Sequence, residues 1–280
     1  MTAATSATTG RADGVEPSGG ATPRPRVGPG SWLRHSIAIT NRNLLHLLRD
    51  PTLVMFVVLQ PIMFVVLFNY VFGGAISVPG FNYAQFLIPG VIVQTVAFGG
   101  AATGIGLTED LSKGILDRFR SLPIARSAYL TGRIVSDGVR TAISVLVIFG
   151  VGLLIGFRFR AGFPSALGAI ALAVAFGMAM SWVGAWIGLL VKKPEAAQTG
   201  GFIWLFPLVF ASSVFVRPAT MPDWLQRFAE ANPITIVADA TRALTIGGPT
   251  TRPVFQSLAW IVAITLVFFG LSVRRYRKVE

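Results

Sequence analysis

Apolar residues run through this chain in six long blocks, at about 52–73, 83–107, 134–157, 164–191, 198–216 and 254–273. Clusters of charge, glycine and proline separate them. A helix of about 20 residues rises ~30 Å, the thickness of a bilayer's hydrocarbon core. Each block therefore predicts a membrane-spanning helix, and the chain as a whole predicts an all-α polytopic membrane protein. Pro51 suits the first turn of the first span, and Pro61 and Pro207 predict kinks in the first and fifth. Pro89 and Gly90 predict an interruption near the start of the second. Gly99, Gly100, Gly104 and Gly106 make a small-residue surface on the second span, and Gly184 and Gly188 make another on the fourth. Such surfaces let two helix backbones approach closely.

Three stretches outside the blocks have a pattern of their own. Ahead of the first span, residues 31–50 place Leu33 and Ile37 on one helical face and Arg42 and Arg49 on another, with Trp32 at the start. That is an amphipathic helix, suited to the headgroup layer or to packing on protein. Residues 108–124, TEDLSKGILDRFRSLPI, form a charged island between the second and third spans. Thr108 predicts a helix cap, with Glu109 and Asp110 in the first turn, where the helix dipole favours negative charge. Leu111, Ile115, Phe119 and Leu122 repeat at helical spacing, while Lys113, Asp117, Arg118 and Arg120 supply charge elsewhere; Gly114 lies between and Pro123 stops the pattern. This helix could dock a cytosolic partner or anchor to anionic lipid, and its pattern leaves both open. Residues 217–253 predict one or two interfacial helices or a shallow re-entrant pair, with Trp224 at headgroup level and a break at Asn232-Pro233 ahead of Asp239 and Arg242.

Charge then sets the orientation. With the N-terminus in the cytoplasm and six alternating spans, 17 Lys and Arg fall inside and 6 outside, and Arg140 lies within a span. This excess places both termini and the island on the inside. Asp137 and Arg140, three apart near the inner end of the third span, read as a snorkelling local pair that Arg133 can join. Residues 1–30 are small and polar and predict a disordered tail; residues 31–280 predict a single membrane domain.

Composition narrows the chemistry. Charged residues make up 13% of the 280, about half the usual share, and mean hydropathy is +0.65. The net charge of +12 accompanies the apolar blocks, so it points to membrane orientation and lipid contact and away from nucleic acid. The chain has no cysteine, no G-x-x-x-x-G-K-[ST] phosphate loop, no H-E-x-x-H and no G-x-S-x-G. Catalytic, cofactor-binding and metal-binding residues are therefore not expected. The polar positions Gln60, Asn69, Gln94 and Thr95 are candidates to line a transport path.

Two long stretches carry a resemblance. GILDRFRSLPIARSAYLTGRIVSD, at 114–137, and MPDWLQRFAEANPITIVADATRAL, at 221–244, are similar to ATP-binding-cassette (ABC) type-2 exporter permeases, within them most to the daunorubicin-resistance branch of actinobacteria. The resemblance covers about 32–278. It implies that 32–49 is the connecting helix at the membrane face, that about 109–122 is the coupling helix docking into a separate ATPase, and that 217–253 holds the outer re-entrant helices. It implies a working unit of two permeases, as a homodimer, with two ATPases that bind ATP and Mg, in a bacterial plasma membrane. The expected function is export of a hydrophobic drug, antibiotic or envelope lipid or glycan. A secondary carrier and a lipid-modifying membrane enzyme are the alternatives.

Overall fold

The computed structural model describes residues 51–74, 80, 82–114 and 126–278. Among them are eight α-helices and no strand: α1 (Pro51–Phe72), α2 (Tyr83–Ser112), α3 (Arg126–Ile155), α4 (Phe163–Leu190), α5 (Pro194–Phe210), α6 (Asp223–Ala231), α7 (Pro233–Ile246) and α8 (Thr251–Lys278). By length and apolar composition α2, α3, α4 and α8 can each cross a membrane.

The bundle is built around the crossing of α2 and α4. A Cβ on Gly188 would lie 2.5 Å from the Gly104 carbonyl oxygen, and one on Gly100 would lie 2.5 Å from the Met180 carbonyl. Gly184 fits against both Gly100 and Gly104. The two glycine patterns therefore interlock with each other. Apolar solvent offers no hydrophobic drive for helices to associate, so close backbone packing must supply the attraction. Gly99 on the same stretch meets nothing, and Gly106 makes room for the Arg133 guanidinium.

Apolar packing divides into two clusters. A main core joins α1, α2, α3, α4, α5, α7 and α8 around Leu87, Ile88, Ile92, Phe176, Leu205 and Val237. A smaller cluster gathers Leu107, Leu130, Ile134, Trp182, Leu189 and Tyr276, from the C-terminal ends of α2, α4 and α8 and the start of α3. Between them lies a polar layer with Thr103, Asp137 and Ser181.

Several boundaries differ from the sequence expectations. Pro89 does not interrupt α2, which is continuous from Tyr83 and runs five residues past the expected end at 107. Thr108 is accordingly mid-helix and caps nothing: its hydroxyl donates to the Gly104 carbonyl at 2.9 Å and lies 3.0 Å from that of Gly188. A threonine with a carbonyl four residues back and another across the helix seam has no need of an exposed N-terminus. Glu109 and Asp110 thus end α2 and do not begin a new helix. Gly114, at φ 64°, then stops the helix, donating from its N–H to the Leu111 carbonyl at 3.1 Å. α5 ends at Phe210, six residues before the expected 216, with Pro207 inside its last turn. α3 begins at Arg126, ahead of the expected 134, and α8 continues through its basic cluster to Lys278.

Candidate functional site

Three polar groupings stand out from the apolar packing, one at each end of the bundle and one within it. The first follows from the premature end of α5. A helix that stops leaves carbonyls without partners, and the turn at 211–216 adds more. α7 meets these with one face. Asn232 opens α7 and accepts from the Ile234 N–H at 2.9 Å, while its amide donates to the carbonyls of Leu208 at 2.7 Å and Ala211 at 3.0 Å. Pro233 follows in the first turn, where its missing N–H has no cost. Thr235 accepts from the Ser213 N–H at 3.0 Å.

Arg242 completes this face. Its Nε donates to the Phe86 carbonyl at 3.0 Å, and Nη1 donates to Asp239 at 2.7 Å and to the Ser213 hydroxyl at 2.9 Å. Nη2 donates to the carbonyls of Ser213 at 2.6 Å and Val214 at 3.2 Å. All five guanidinium donors are used. The group also lies 3.8 Å from the Phe86 ring centre. Gly90 leaves space for both the Val214 backbone and the guanidinium. Arg242 and the α7 core residues Ile234 and Val237 are buried, so α7 is packed inside the bundle and is not an interfacial helix. α6 differs: Trp224 is 73% exposed and Phe228 is exposed beside it. Ser213, Thr235, Asp239 and Phe86 also border a cavity of about 420 Å³ that opens past Arg217 and Glu230.

The second grouping sits at the opposite end of α2. Glu109 accepts from the exposed Lys113 ammonium at 2.6 Å. This bond and the carboxylate's charge hold the Lys113 pKa above its usual value. Acidic residues at a helix C-terminus oppose the dipole, so their stability depends on such partners. Asp110 has one in Arg133 of α3, through a salt bridge to Nη1. Leu111 packs on the smaller apolar cluster. The other island residues singled out in the sequence, Ile115, Asp117, Arg118, Phe119, Arg120, Leu122 and Pro123, lie outside the described residues. So do Trp32, Leu33, Ile37, Arg42 and Arg49.

The third grouping is the polar layer within the bundle. Asp137 is buried, and its Oδ1 pairs with Arg140 at 3.1 Å. Its Oδ2 accepts from the Thr103 hydroxyl of α2 at 2.7 Å, which is 3.1 Å from the Ser181 hydroxyl of α4. Thr103 has one proton and gives it to the carboxylate, so Ser181 is the donor of the second bond. Arg140 also donates to the Gly99 carbonyl at 3.1 Å. The local pair expected from the sequence is present within α3, and each member is also bound to α2, Asp137 through Thr103 and Arg140 through the Gly99 carbonyl, while Arg133 pairs with Asp110.

The four path candidates are not brought together by any hydrogen bond among the described residues. Gln60 is exposed on α1, and Asn69 and Thr95 are half-buried. Gln94 is buried, and its amide oxygen has no partner. It lies one helical turn from Phe98, which packs at 5.7 Å on Phe202 and 5.5 Å on Phe206 of α5. The indole N–H of Trp204, also on α5, has no acceptor. Thr103, Ser181, Ser213, Thr235 and Trp204 were not singled out in the sequence. The spacing 232, 235, 239 and 242 marks one α7 face and could have found Thr235; Thr103 and Ser181 carry no local signal.

Comparison with known proteins matches residues 34–246 to the family described as ABC-2 type transporter. The chain is 38% identical over 222 residues to the daunorubicin resistance ABC transporter permease protein DrrB1 of Streptomyces coeruleorubidus, covering 79% of this chain and 78% of that one. It is 30% identical over 241 residues to the probable doxorubicin resistance ABC transporter permease protein DrrC of Mycobacterium tuberculosis, covering 84% and 86%. A more distant relative, the probable multidrug ABC transporter permease YbhR of Escherichia coli, is 21% identical over 202 residues, covering 71% of this chain and 54% of its own. An all-helical apolar bundle, with a family match that runs through both the charged island and the α6–α7 segment, makes this chain a membrane permease of the ABC-2 type transporter family.

Proposed function

We propose that this permease exports hydrophobic or amphiphilic compounds, and that a separate cytosolic ATPase supplies the energy. Six helices, α1 to α5 and α8, cross the plasma membrane with both termini inside, and two copies work with two ATPases. ATP and Mg belong to the ATPase. The segment from Glu109 to Pro123 docks the ATPase, and the helix at 32–49 lies along the inner membrane face.

The observation that carries this reading is the anchoring of the charged segment at both ends. The chain leaves α2 after Ser112 and enters α3 at Arg126, and the Asp110–Arg133 salt bridge ties the two helices together beside it. A force on the segment therefore acts directly on two long helices. The relatives named for daunorubicin and doxorubicin resistance support drugs as the cargo class. The α2–α5 seam supports the path: its phenyl rings offer an apolar surface, and Gln94, one turn from Phe98, offers an amide oxygen that the described residues leave unpartnered.

Co-expression with the cognate ATPase tests docking. Arg118→Glu with Arg120→Glu, and separately Phe119→Ala, should each reduce ATPase co-purification severalfold while membrane insertion stays at the wild-type level. Unchanged co-purification in every variant would remove the docking assignment.

A further inference from the structure

The polar layer around Asp137 has no part in the docking surface or the aromatic seam, yet it holds an ion pair, with Asp137 buried and Arg140 half-buried, in a largely apolar stretch of α3. Replacing a buried ion pair by apolar residues of similar size is often neutral or stabilising, so its presence calls for a role beyond adhesion. Its connections are specific. Asp137 and Arg140 belong to α3, Thr103 and the Gly99 carbonyl to α2, and Ser181 to α4. The layer lies where the main apolar core gives way to the smaller cluster. Beyond that cluster, Asp110 and Arg133 join α2 to α3 a second time.

We infer that the Thr103–Asp137–Arg140–Ser181 cluster is a positioning joint, which with the Asp110–Arg133 pair fastens the inner parts of α2 and α3 into one lever and passes the lever's movement to α4. Two fastenings along one helix pair resist both sliding and splaying, because hydrogen bonds and ion pairs need a fixed register and apolar contacts do not. Thr103 is the central element. Among the described residues it alone hydrogen-bonds to both the α3 carboxylate and the α4 hydroxyl, so its hydroxyl is the route from lever to α4. This inference rests on the docking reading, since the lever is driven through the segment between α2 and α3.

The chain has no cysteine, so spin labels can be placed at chosen exposed positions. One pair, at Ala102 and Val139, reports on the lever. A second, at Leu167 and Ile203, reports on α4 against α5. Distances are measured by pulsed electron paramagnetic resonance in the permease–ATPase complex, with and without bound ATP. In the wild type the first distance should stay unchanged and the second should shift. Thr103→Val should abolish the second shift without reducing ATPase co-purification, and Thr103→Ser should restore it. Asp137→Asn should behave as Thr103→Val does; should Asp137→Asn fail to fold, the Thr103 variants decide the matter. A first distance that changes with ATP overturns the inference. So does a second distance that fails to shift in the wild type, or shifts equally in Thr103→Val. Failure of the wild-type chain to bind the ATPase would instead strike the docking reading, and a broadened Ala102–Val139 distribution in the isolated Thr103→Val permease would then still support the joint.

Discussion

Arg242 shows how one buried charge can hold an irregular stretch of backbone. The turn after α5 presents carbonyls at Ser213 and Val214, and the guanidinium reaches both while pairing with Asp239. A lysine could fill neither the planar fork nor the contact with Phe86. Arg242→Lys should therefore destabilise nearly as much as Arg242→Ala, by about 1–3 kcal/mol for each buried carbonyl left without a donor. The midpoint of thermal unfolding in detergent would read this, and a stable Arg242→Lys would disprove the bidentate role. Gln94 predicts the opposite sign. Its unpartnered amide oxygen is a cost to the fold, so Gln94→Leu should stabilise by about 1–3 kcal/mol. If the amide serves the path, the same change should alter transport of an aromatic drug. Higher stability with unchanged transport would leave Gln94 a structural imperfection and take it off the path.

At the scale of elements, the α2–α4 crossing decides the bundle. Gly104 and Gly184 meet backbone, which cannot move aside. Gly104→Leu or Gly184→Leu should lower the folded yield sharply, whereas Gly99→Ala, with open space around it, should keep the yield or raise it, since alanine is the better helix former. Size-exclusion profiles of the solubilised variants would distinguish them, and equal profiles would show that the seam is looser than its geometry. Both glycine patterns were legible in the sequence because spacing alone reveals a small-residue face. Their pairing with each other was not, since it depends on which helices become neighbours. The same limit explains Thr108. Its local sequence is that of a cap, and only the approach of Gly188 turns it into a mid-helix residue. Helix existence followed from apolar length, while helix ends failed wherever tertiary contacts extended or cut a helix, as at Ser112 and Phe210. Asn232, Asp239 and Arg242 could be named from the sequence only as members of the segment before the last span, because the carbonyls they serve belong to a distant turn.

For the whole molecule, orientation is the step from bundle to export. The proposed orientation rests on the Lys and Arg excess of 17 against 6, which favours a cytoplasmic α2–α3 junction. Under that proposal, alternation of the spans puts α6, with its exposed Trp224 and Phe228, on the outer face. An exposed aromatic pair on a short helix suits the interface between headgroups and acyl chains. In the proposed arrangement energy arrives at one end and the Arg242-braced turn lies at the other, with α2 spanning the distance between them. Single cysteines in this cysteine-free chain test it directly. Asp223→Cys, beside Trp224 on exposed α6, should react with a membrane-impermeant maleimide in intact cells. Lys192→Cys and Lys113→Cys should react only after permeabilisation. Labelling of Lys113→Cys from outside would invert the topology and with it the docking assignment, because an ATPase in the cytoplasm could not reach a segment that faces out.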